Sequence, residues 1–217
     1  MKSKVNAQAV LSTLVCLMPI ALGLVLYGRL PDQLPTHFDI SGNPDSYSSK
    51  AIVCFAFPVG FALINLFTHF MLNADPKKRN ANAVIRSVGM WAVPVMSLII
   101  IPVTLFKGLG YNLPIAMITL ALVGMLLLIT GNYMPKCRQN YTVGIRLPWT
   151  LDSEENWTKT HRFSGFVWVL GGFAVIVDTF IGSFYVMLGI IALLVILPVI
   201  YSYLFYRRQK AKKENEQ

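Results

Sequence analysis

The sequence predicts an all-α polytopic membrane protein with six transmembrane helices and both termini cytoplasmic. The first observation is composition: the 217 residues are 55% hydrophobic and 13% charged, whereas soluble domains carry about 25% charged residues. The second is that six apolar runs each approach the roughly twenty residues that a helix needs to cross the hydrocarbon core. The third is the uneven distribution of Lys and Arg between these runs.

The six apolar runs follow one another with short polar connections in most places. The first run is longer than the core of a signal peptide, about 7–15 residues, so we expect it to remain as the first span. Prolines such as Pro58, Pro94 and Pro198 fall inside runs; neighbouring helices satisfy the backbone groups that proline frees in a membrane bundle. The fifth and sixth runs form a tight helical hairpin. The predicted spans are Ala9–Tyr27, Ala51–Leu72, Val88–Phe106, Leu113–Asn132, Phe163–Phe180 and Ser183–Tyr206.

The positive charges give the orientation of these spans. With the N-terminus inside, sixteen of the 19 Lys and Arg residues fall in inner segments, and three, Arg29, Lys50 and Lys107, fall in outer ones. Such an excess over short loops predicts the cytoplasmic side. The formal net charge of +9 is therefore a topology signal, and no direct nucleic-acid partner is expected.

The loops and spans predict four sequential regions. Residues 1–73 form an N-terminal module of two spans and a long loop, and residues 74–112 form a basic connection with the third span. Residues 113–206 form a second module of three spans with a long inner loop. Residues 207–217 are a basic cytoplasmic tail, for which we expect a disordered end because its composition is strongly polar.

The outer loop, residues 28–50, carries the first candidate site. Its Pro, Gly, Asn, Asp and Ser residues favour turns, so one interpretation is a connector made of turns. The alternative is a rigid exterior patch that binds an extracellular ligand. The residues of this patch (the outer patch) are His37, Asp39, Asn43, Asp45, Tyr47 and Lys50.

The inner loop, residues 140–165, is a dense polar segment between two apolar runs. Asp152 followed by Glu155 predicts a helix start, and a helix continuing into the fifth span places Glu154 and His161 on one face. One hypothesis is a general acid–base pair of these two residues. The other is a helix lying at the membrane interface, with Trp149 and Trp157 at headgroup depth. No nucleophile elbow or Gly-rich phosphate loop accompanies these residues.

Metal binding and transport have weaker support. His69 and His161 both lie near inner span ends, but no CxxC or HExxH spacing accompanies them, so no metal site and no cofactor are predicted. Asp178 is an ionisable residue in a span, which marks a functional candidate by default. It lies a few residues from the outer turn, where we expect it to reach water.

Two segments resemble known families. The outer-loop sequence LPTHFDISGNPDSYSSK resembles the hallmark LPxH…GxxDxYxxK of a small membrane module of unknown function. The inner loop with the following span resembles the SdpI family of bacterial immunity proteins. The residues that carry the second resemblance are Asn140, Gly144, Ile145, Arg146, Pro148, Trp149, Thr150, Trp157, Thr160, His161, Arg162 and Gly165.

The resemblance implies a non-enzymatic immunity protein of the bacterial cell membrane. Its partners would be a secreted, membrane-active toxin peptide and a cytoplasmic autorepressor held at the membrane for signalling, besides the lipid bilayer. The outer patch would meet the toxin, and the inner loop would serve signalling or structure. The rival hypothesis is a membrane enzyme or transporter acting at the inner interface through Glu154 and His161. The inner-loop candidate residues are Arg146, Pro148, Trp149, Glu154, Trp157, His161 and Arg162.

Overall fold

Six helices long and apolar enough to cross a membrane make up most of the residues that the structure describes. The structure is a computed structural model that describes residues 7–39 and 43–215. The six predicted spans are confirmed, each within a few residues at its ends, except that the fifth helix begins earlier, at Glu154, and the sixth ends later, at Asn215. The helices are α1 (Ala7–Leu17), α2 (Pro19–Leu26), α3 (Phe57–Ala74), α4 (Ala83–Gly108), α5 (Ile115–Tyr133), α6 (Pro148–Asp152), α7 (Glu154–Ile181) and α8 (Phe184–Asn215).

Short irregular turns adjust several of these helices. The first span consists of α1 and α2, which meet at Met18 because Pro19 has no N–H to continue the hydrogen-bond ladder. A π-helical turn, Ile52–Ala56, leads into α3. A 3₁₀ turn, Met134–Lys136, ends the fourth span, and another, Lys78–Asn80, lies between α3 and α4.

The outer loop contains a β-hairpin, which neither interpretation of its sequence, a connector of turns or a rigid patch, predicted. Strands β1 (Gln33–Phe38) and β2 (Pro44–Ser49) pair antiparallel. The hairpin has an apolar anchor, because Leu34 is fully buried in a cluster that includes Leu30, just before the hairpin, and Leu105 of α4. Burial of this side chain fixes the register of β1, since a slip of one residue would turn it outwards.

The chain forms two compact units that are interleaved in sequence. One contains Met1–Met71 and Gly89–Thr119, and the other contains Leu72–Val88 and Leu120–Gln217. The first unit includes the hairpin, and the second includes the inner loop with α7 and α8. The sequential modules inferred from the motifs stay a prediction.

A polar network lies between helices within the first unit. The Ser12 hydroxyl is 2.9 Å from His69 Nε2, and the Asn65 amide is 2.8 Å from the same hydroxyl. All three side chains are buried. Hydrogen bonds of this kind between apolar helices hold them in one register, so His69 packs α3 against α1.

Four glycines bring α5 and α7 into close contact within the second unit (the glycine seam). Gly124 lies opposite Gly172, and Gly131 lies opposite Gly165. A Cβ on Gly131 would lie 3.0 Å from Gly165 O, and one on Gly165 would lie 2.7 Å from Gly131 O. The seven-residue spacing on both helices keeps the small residues on one line, as in small-residue contacts between transmembrane helices.

The C-terminal segment is helical, so the expectation of a disordered tail is wrong for the residues that the structure describes. Helix α8 continues to Asn215. Gln209 Nε2 donates to Glu155 Oε2 at 2.9 Å, and Ser153 Oγ donates to Gln209 Oε1 at 3.3 Å. These contacts connect the end of α8 to the start of α7 and support its last turns.

Candidate functional site

The inner loop begins with a turn organised by Asn140, which is fully buried. Its Oδ1 accepts from the backbone N–H groups of Thr142 and Val143, at 3.0 and 2.7 Å. Its Nδ2 donates to Arg138 O at 2.9 Å. An asparagine that bonds its own backbone two and three residues on is a typical turn residue, so Asn140 directs the chain back over the helix ends.

His161 lies at the centre of the inner loop and is fully buried. The Ile145 N–H donates to its Nε2 at 3.0 Å, so Nδ1 carries the proton and donates to Trp157 O at 2.8 Å. The imidazole stacks on the Trp157 ring with centroids 4.0 Å apart, and Trp157 Nε1 donates to Cys137 O at 2.8 Å. Gly144 completes the site: its φ is 111°, and a Cβ there would overlap His161 Nε2.

Thr150 and Gln139 hold the middle of the loop. Thr150 Oγ1 accepts from the Leu147 N–H at 2.9 Å and lies 2.8 Å from Ile145 O. Gln139 Nε2 donates to Thr150 O at 3.1 Å and to Leu151 O at 2.6 Å. Because these loop groups are satisfied by protein atoms, the segment is a folded element.

Trp149 and Asn156 attach the loop to α8. Trp149 Nε1 donates to Ser202 Oγ at 3.0 Å, and its ring contacts the Tyr203 and Tyr206 rings, with centroids 5.5 and 6.0 Å away. Asn156 Nδ2 donates to Ser202 O at 3.1 Å. The polar groups of α6, α7 and α8 therefore form one packed structure.

Asp75 is a site residue that sequence reasoning missed. It is 5% exposed, although it lies in a short polar loop. Its Oδ1 accepts from the Lys77 N–H at 2.7 Å, while its Oδ2 accepts from the Tyr141 N–H at 2.9 Å and from Thr142 Oγ1 at 2.7 Å. Burial alone would raise the pKa of this carboxyl, but the hydrogen bonds outweigh it and the pKa is lowered. In the sequence, Asp75 followed by Pro76 is typical of an ordinary turn. Its contact with Tyr141 and Thr142 of the inner loop is visible only in the folded structure.

Replacing Asp75 by Asn is expected to destabilise the protein by about 1–3 kcal/mol, because an amide nitrogen then faces N–H donors. The Asp75 pKa is lowered in the folded state, so its contribution is full above the unfolded value of about 3.9 and falls as the pH drops through the folded value. We expect the difference in melting temperature between wild type and Asp75→Asn to be constant from pH 7 to about pH 5 and to shrink below about pH 4. A difference that grows in acid would contradict this assignment.

The structure does not join Glu154 and His161 as a catalytic pair. Glu154 is exposed, both nitrogens of His161 are engaged elsewhere, and no hydrogen bond between the two side chains occurs in the described ranges. The predicted helix continuing into the fifth span is confirmed, but its N-cap is Ser153, which accepts from the Asn156 N–H, and Asp152 ends α6. Trp157 is 1% exposed, so its side chain packs inside the protein; its position at headgroup depth stays a prediction.

The remaining inner-loop candidates lie at the surface of this core. Pro148 occupies the first turn of α6, where its missing N–H costs nothing. Arg146 is exposed and donates to Tyr141 O at 2.6 Å, and Arg162 is exposed. Asp178, expected to reach water, is 1% exposed, and its Oδ1 has no hydrogen-bond partner among the described residues.

The outer patch lies on the hairpin. His37 Nδ1 is 2.6 Å from Asp45 Oδ1 across the two strands, and both side chains are substantially exposed. Asp39 and Asn43 bracket the tip: the Asn43 N–H donates to Asp39 Oδ1 at 2.8 Å, and both residues are exposed. Tyr47 is 53% exposed.

Lys50 differs from the other members of the outer patch. Its Nζ is 3.0 Å from Asp32 Oδ1, donates to Leu30 O at 3.4 Å and lies over the Tyr27 ring. Its side chain is 22% exposed. Lys50 therefore attaches the base of the hairpin to the preceding helix.

Comparisons with known proteins match two separate parts of the chain, one that contains the hairpin and one that contains most of the inner loop. Residues 136–202 match the model of the SdpI/YfhL protein family, and residues 14–62 match a domain of unknown function (DUF1648). The chain is 32% identical over 204 residues to "Immunity protein SdpI" of Bacillus subtilis (strain 168), covering 92% of this chain and 96% of the relative. This chain belongs to the SdpI family. No solved structure matches it.

Membership of the SdpI family confirms the resemblance found in the motifs, and the structure gives a physical account of the inner-loop motif. Position 144 requires glycine because its φ is positive and because His161 leaves no room for a Cβ. Position 165 requires glycine because the backbone of α5 lies too close for a Cβ. Thr150, Trp157 and His161 are buried and hydrogen-bonded to loop backbone. In this chain the motif encodes the packing of the inner loop against α7.

Proposed function

We propose that this protein protects its own cell against a secreted, membrane-active toxin peptide by binding it, without covalent chemistry. The observation that carries the proposal is the similarity to the immunity protein over 96% of that protein's length. The six apolar helices support a location in the bacterial cell membrane. The excess of Lys and Arg in the inner segments supports cytoplasmic termini, which leaves the hairpin on the outer side.

The outer patch is the proposed toxin-binding surface. The hairpin is anchored through Leu34 and Lys50, so His37, Asp45 and Tyr47 are presented on a fixed backbone. A pre-ordered surface loses little conformational entropy when a flexible peptide binds. The exposed His37–Asp45 pair contributes little to folding, as is usual for solvent-exposed ion pairs, so these groups are available for recognition.

The double variant His37→Ala/Asp45→Ala is expected to lower toxin tolerance by roughly tenfold or more, because truncation of central interface residues costs at least about 1–2 kcal/mol. The measurement is survival of a toxin-sensitive host that expresses each form, against a panel of secreted peptides. Abundance in the membrane fraction should stay at the wild-type level.

The matched control is Gln33→Ala/Ser46→Ala, which changes two exposed residues of the same hairpin outside the outer patch. It should retain wild-type tolerance. Unchanged tolerance in the His37/Asp45 variant at normal abundance would remove the outer patch from the mechanism and leave immunity itself standing. Failure of the wild-type protein to protect against the panel would argue against immunity to those peptides.

The inner loop, with exposed Arg146, Arg162 and Glu154, is the proposed signalling surface for a cytoplasmic repressor. Its packed backbone supports this role, since a defined surface requires a defined loop. In the native cell, a repressor encoded by a neighbouring gene should enter the membrane fraction when toxin is added. The variant Arg146→Ala/Arg162→Ala should reduce the amount of repressor in this fraction. If the repressor enters the membrane fraction equally in cells that lack this protein, the proposed signalling role is wrong. The proposed toxin binding would not be affected by that result.

A further inference from the structure

Two basic loops distant in sequence converge within the second compact unit (the basic loop pair, residues 77–82 and 136–139). The Arg138 N–H donates to Asn80 O at 3.1 Å, and Asn80 Nδ2 donates to Gln139 O at 2.8 Å. Lys77 Nζ donates to Gln139 Oε1 at 2.9 Å. These contacts join two loops that together carry five cationic residues: Lys77, Lys78, Arg79, Lys136 and Arg138.

The charge of the basic loop pair is not neutralised by nearby carboxylates. None of its five side chains forms an ion pair with a carboxylate in the part of the chain that the structure describes. The neighbouring acid, Asp75, is buried and uses its oxygens for the Lys77, Tyr141 and Thr142 donors. Arg79, Lys136 and Arg138 are exposed and remain available to an anion.

An apolar cavity of about 110 Å³ lies beside these loops. Two of its lining residues adjoin one of the basic loops in sequence: Cys137 stands between Lys136 and Arg138, and Met134 lies two residues before Lys136. The cavity therefore lies at the inner ends of α4 and α5, where the candidate spans begin at Ala83 and end at Lys136. Its lining includes Ile85, Thr130, Met134, Cys137, Val143 and Trp168.

We propose that the basic loop pair and this cavity together bind one anionic phospholipid. The phosphate group lies against Arg79, Lys136 and Arg138, and a segment of one acyl chain enters the cavity. Charge complementarity selects the headgroup, since basic sites between transmembrane helices on the inner side bind anionic lipid heads. The apolar lining selects a lipid over a free phosphate, because burial of an acyl chain against apolar side chains is favourable.

The test uses the full-length protein purified in mild detergent, with thermal unfolding and native mass spectrometry as readouts. Phosphatidylglycerol should raise the melting temperature and remain bound, and phosphatidylcholine should not. The variant Arg79→Gln/Lys136→Gln/Arg138→Gln should weaken phosphatidylglycerol binding by about tenfold or more, since each basic residue near a lipid surface contributes on the order of a fivefold change. Substitutions at exposed positions leave the fold largely unaffected.

The matched control is Arg207→Gln/Arg208→Gln/Lys213→Gln, which removes the same charges from the exposed end of α8 and should bind phosphatidylglycerol as the wild type does. Equal losses in both triple variants would show diffuse attraction and overturn the site. Glycerophosphoglycerol, the same headgroup without acyl chains, should give no thermal shift; an equal shift would overturn the role of the cavity. Equal stabilisation by phosphatidylcholine would overturn selection of the anionic headgroup.

Discussion

Replacing Gly131 by Ala is expected to destabilise the protein by about 1–3 kcal/mol, and replacing it by Leu to prevent α5 from packing on α7. An added Cβ would lie 2.8 Å from Val169 N and 2.9 Å from Trp168 Cβ. Two of the atoms that the new methyl group would contact, Val169 N and Gly165 O, belong to the backbone of α7. Backbone atoms cannot rotate away as a side chain can, so the two helices must separate. Thermal unfolding of the detergent-solubilised protein, read by size-exclusion chromatography after heating, measures the change.

Gly189→Ala is the matched control for the glycine seam. Gly189 also lies within a span of the second unit, but a Cβ there would meet no atom within 4 Å. Alanine should be neutral or stabilising at this position by up to about 1 kcal/mol, because it favours helix. Equal melting temperatures for Gly131→Ala and Gly189→Ala would show that α5 and α7 do not approach one another as closely as the structure has them.

His161→Ala is expected to lower stability by about 3–5 kcal/mol, because it removes a buried ring and leaves the Ile145 N–H without its acceptor. Immunity should be lost together with abundance in the membrane. Glu154→Gln should change neither stability nor tolerance, since Glu154 is exposed and substitutions at exposed sites are usually within about 0.5 kcal/mol of neutral. Melting temperature and toxin survival are measured for both variants.

This pair of variants also separates packing from catalysis. If Glu154 and His161 act as acid and base, Glu154→Gln should abolish function at normal stability, and His161→Ala should do the same. Loss of tolerance in both variants at unchanged melting temperatures would therefore contradict the structural role proposed for His161 and favour the enzymatic alternative.

The six spans were predictable because crossing a bilayer imposes a length and composition on each helix that packing does not alter. The boundaries of the fifth and sixth helices were less predictable, since polar residues continue both helices beyond the apolar runs. Ser153 replaced Asp152 as the N-cap, a shift of one residue that depends on where α6 ends. The helical end of α8 depends on contacts of Gln209 with Glu155 and Ser153, which its own composition does not indicate.

The hairpin could not be predicted from the sequence because the local composition of its strands disfavours β structure. Its strands contain Pro35 and Pro44 and several serines, a composition that predicts turns and disfavours strands. The structure forms them because Leu34 is buried by helices distant in sequence, and this tertiary contact overrides the local preference.

The sequence by itself determined a six-span membrane protein of the SdpI family and located its two polar segments, because hydropathy and motif residues are properties of the chain alone. Only the tertiary structure decided what those residues do. The sequence left His161 open between an acid–base role and a helix at the membrane interface, and the structure buries it among Gly144, Ile145 and Trp157. Burial and hydrogen-bond partners set the chemistry of an imidazole or a carboxylate, and the fold decides both by bringing separate segments of the chain together.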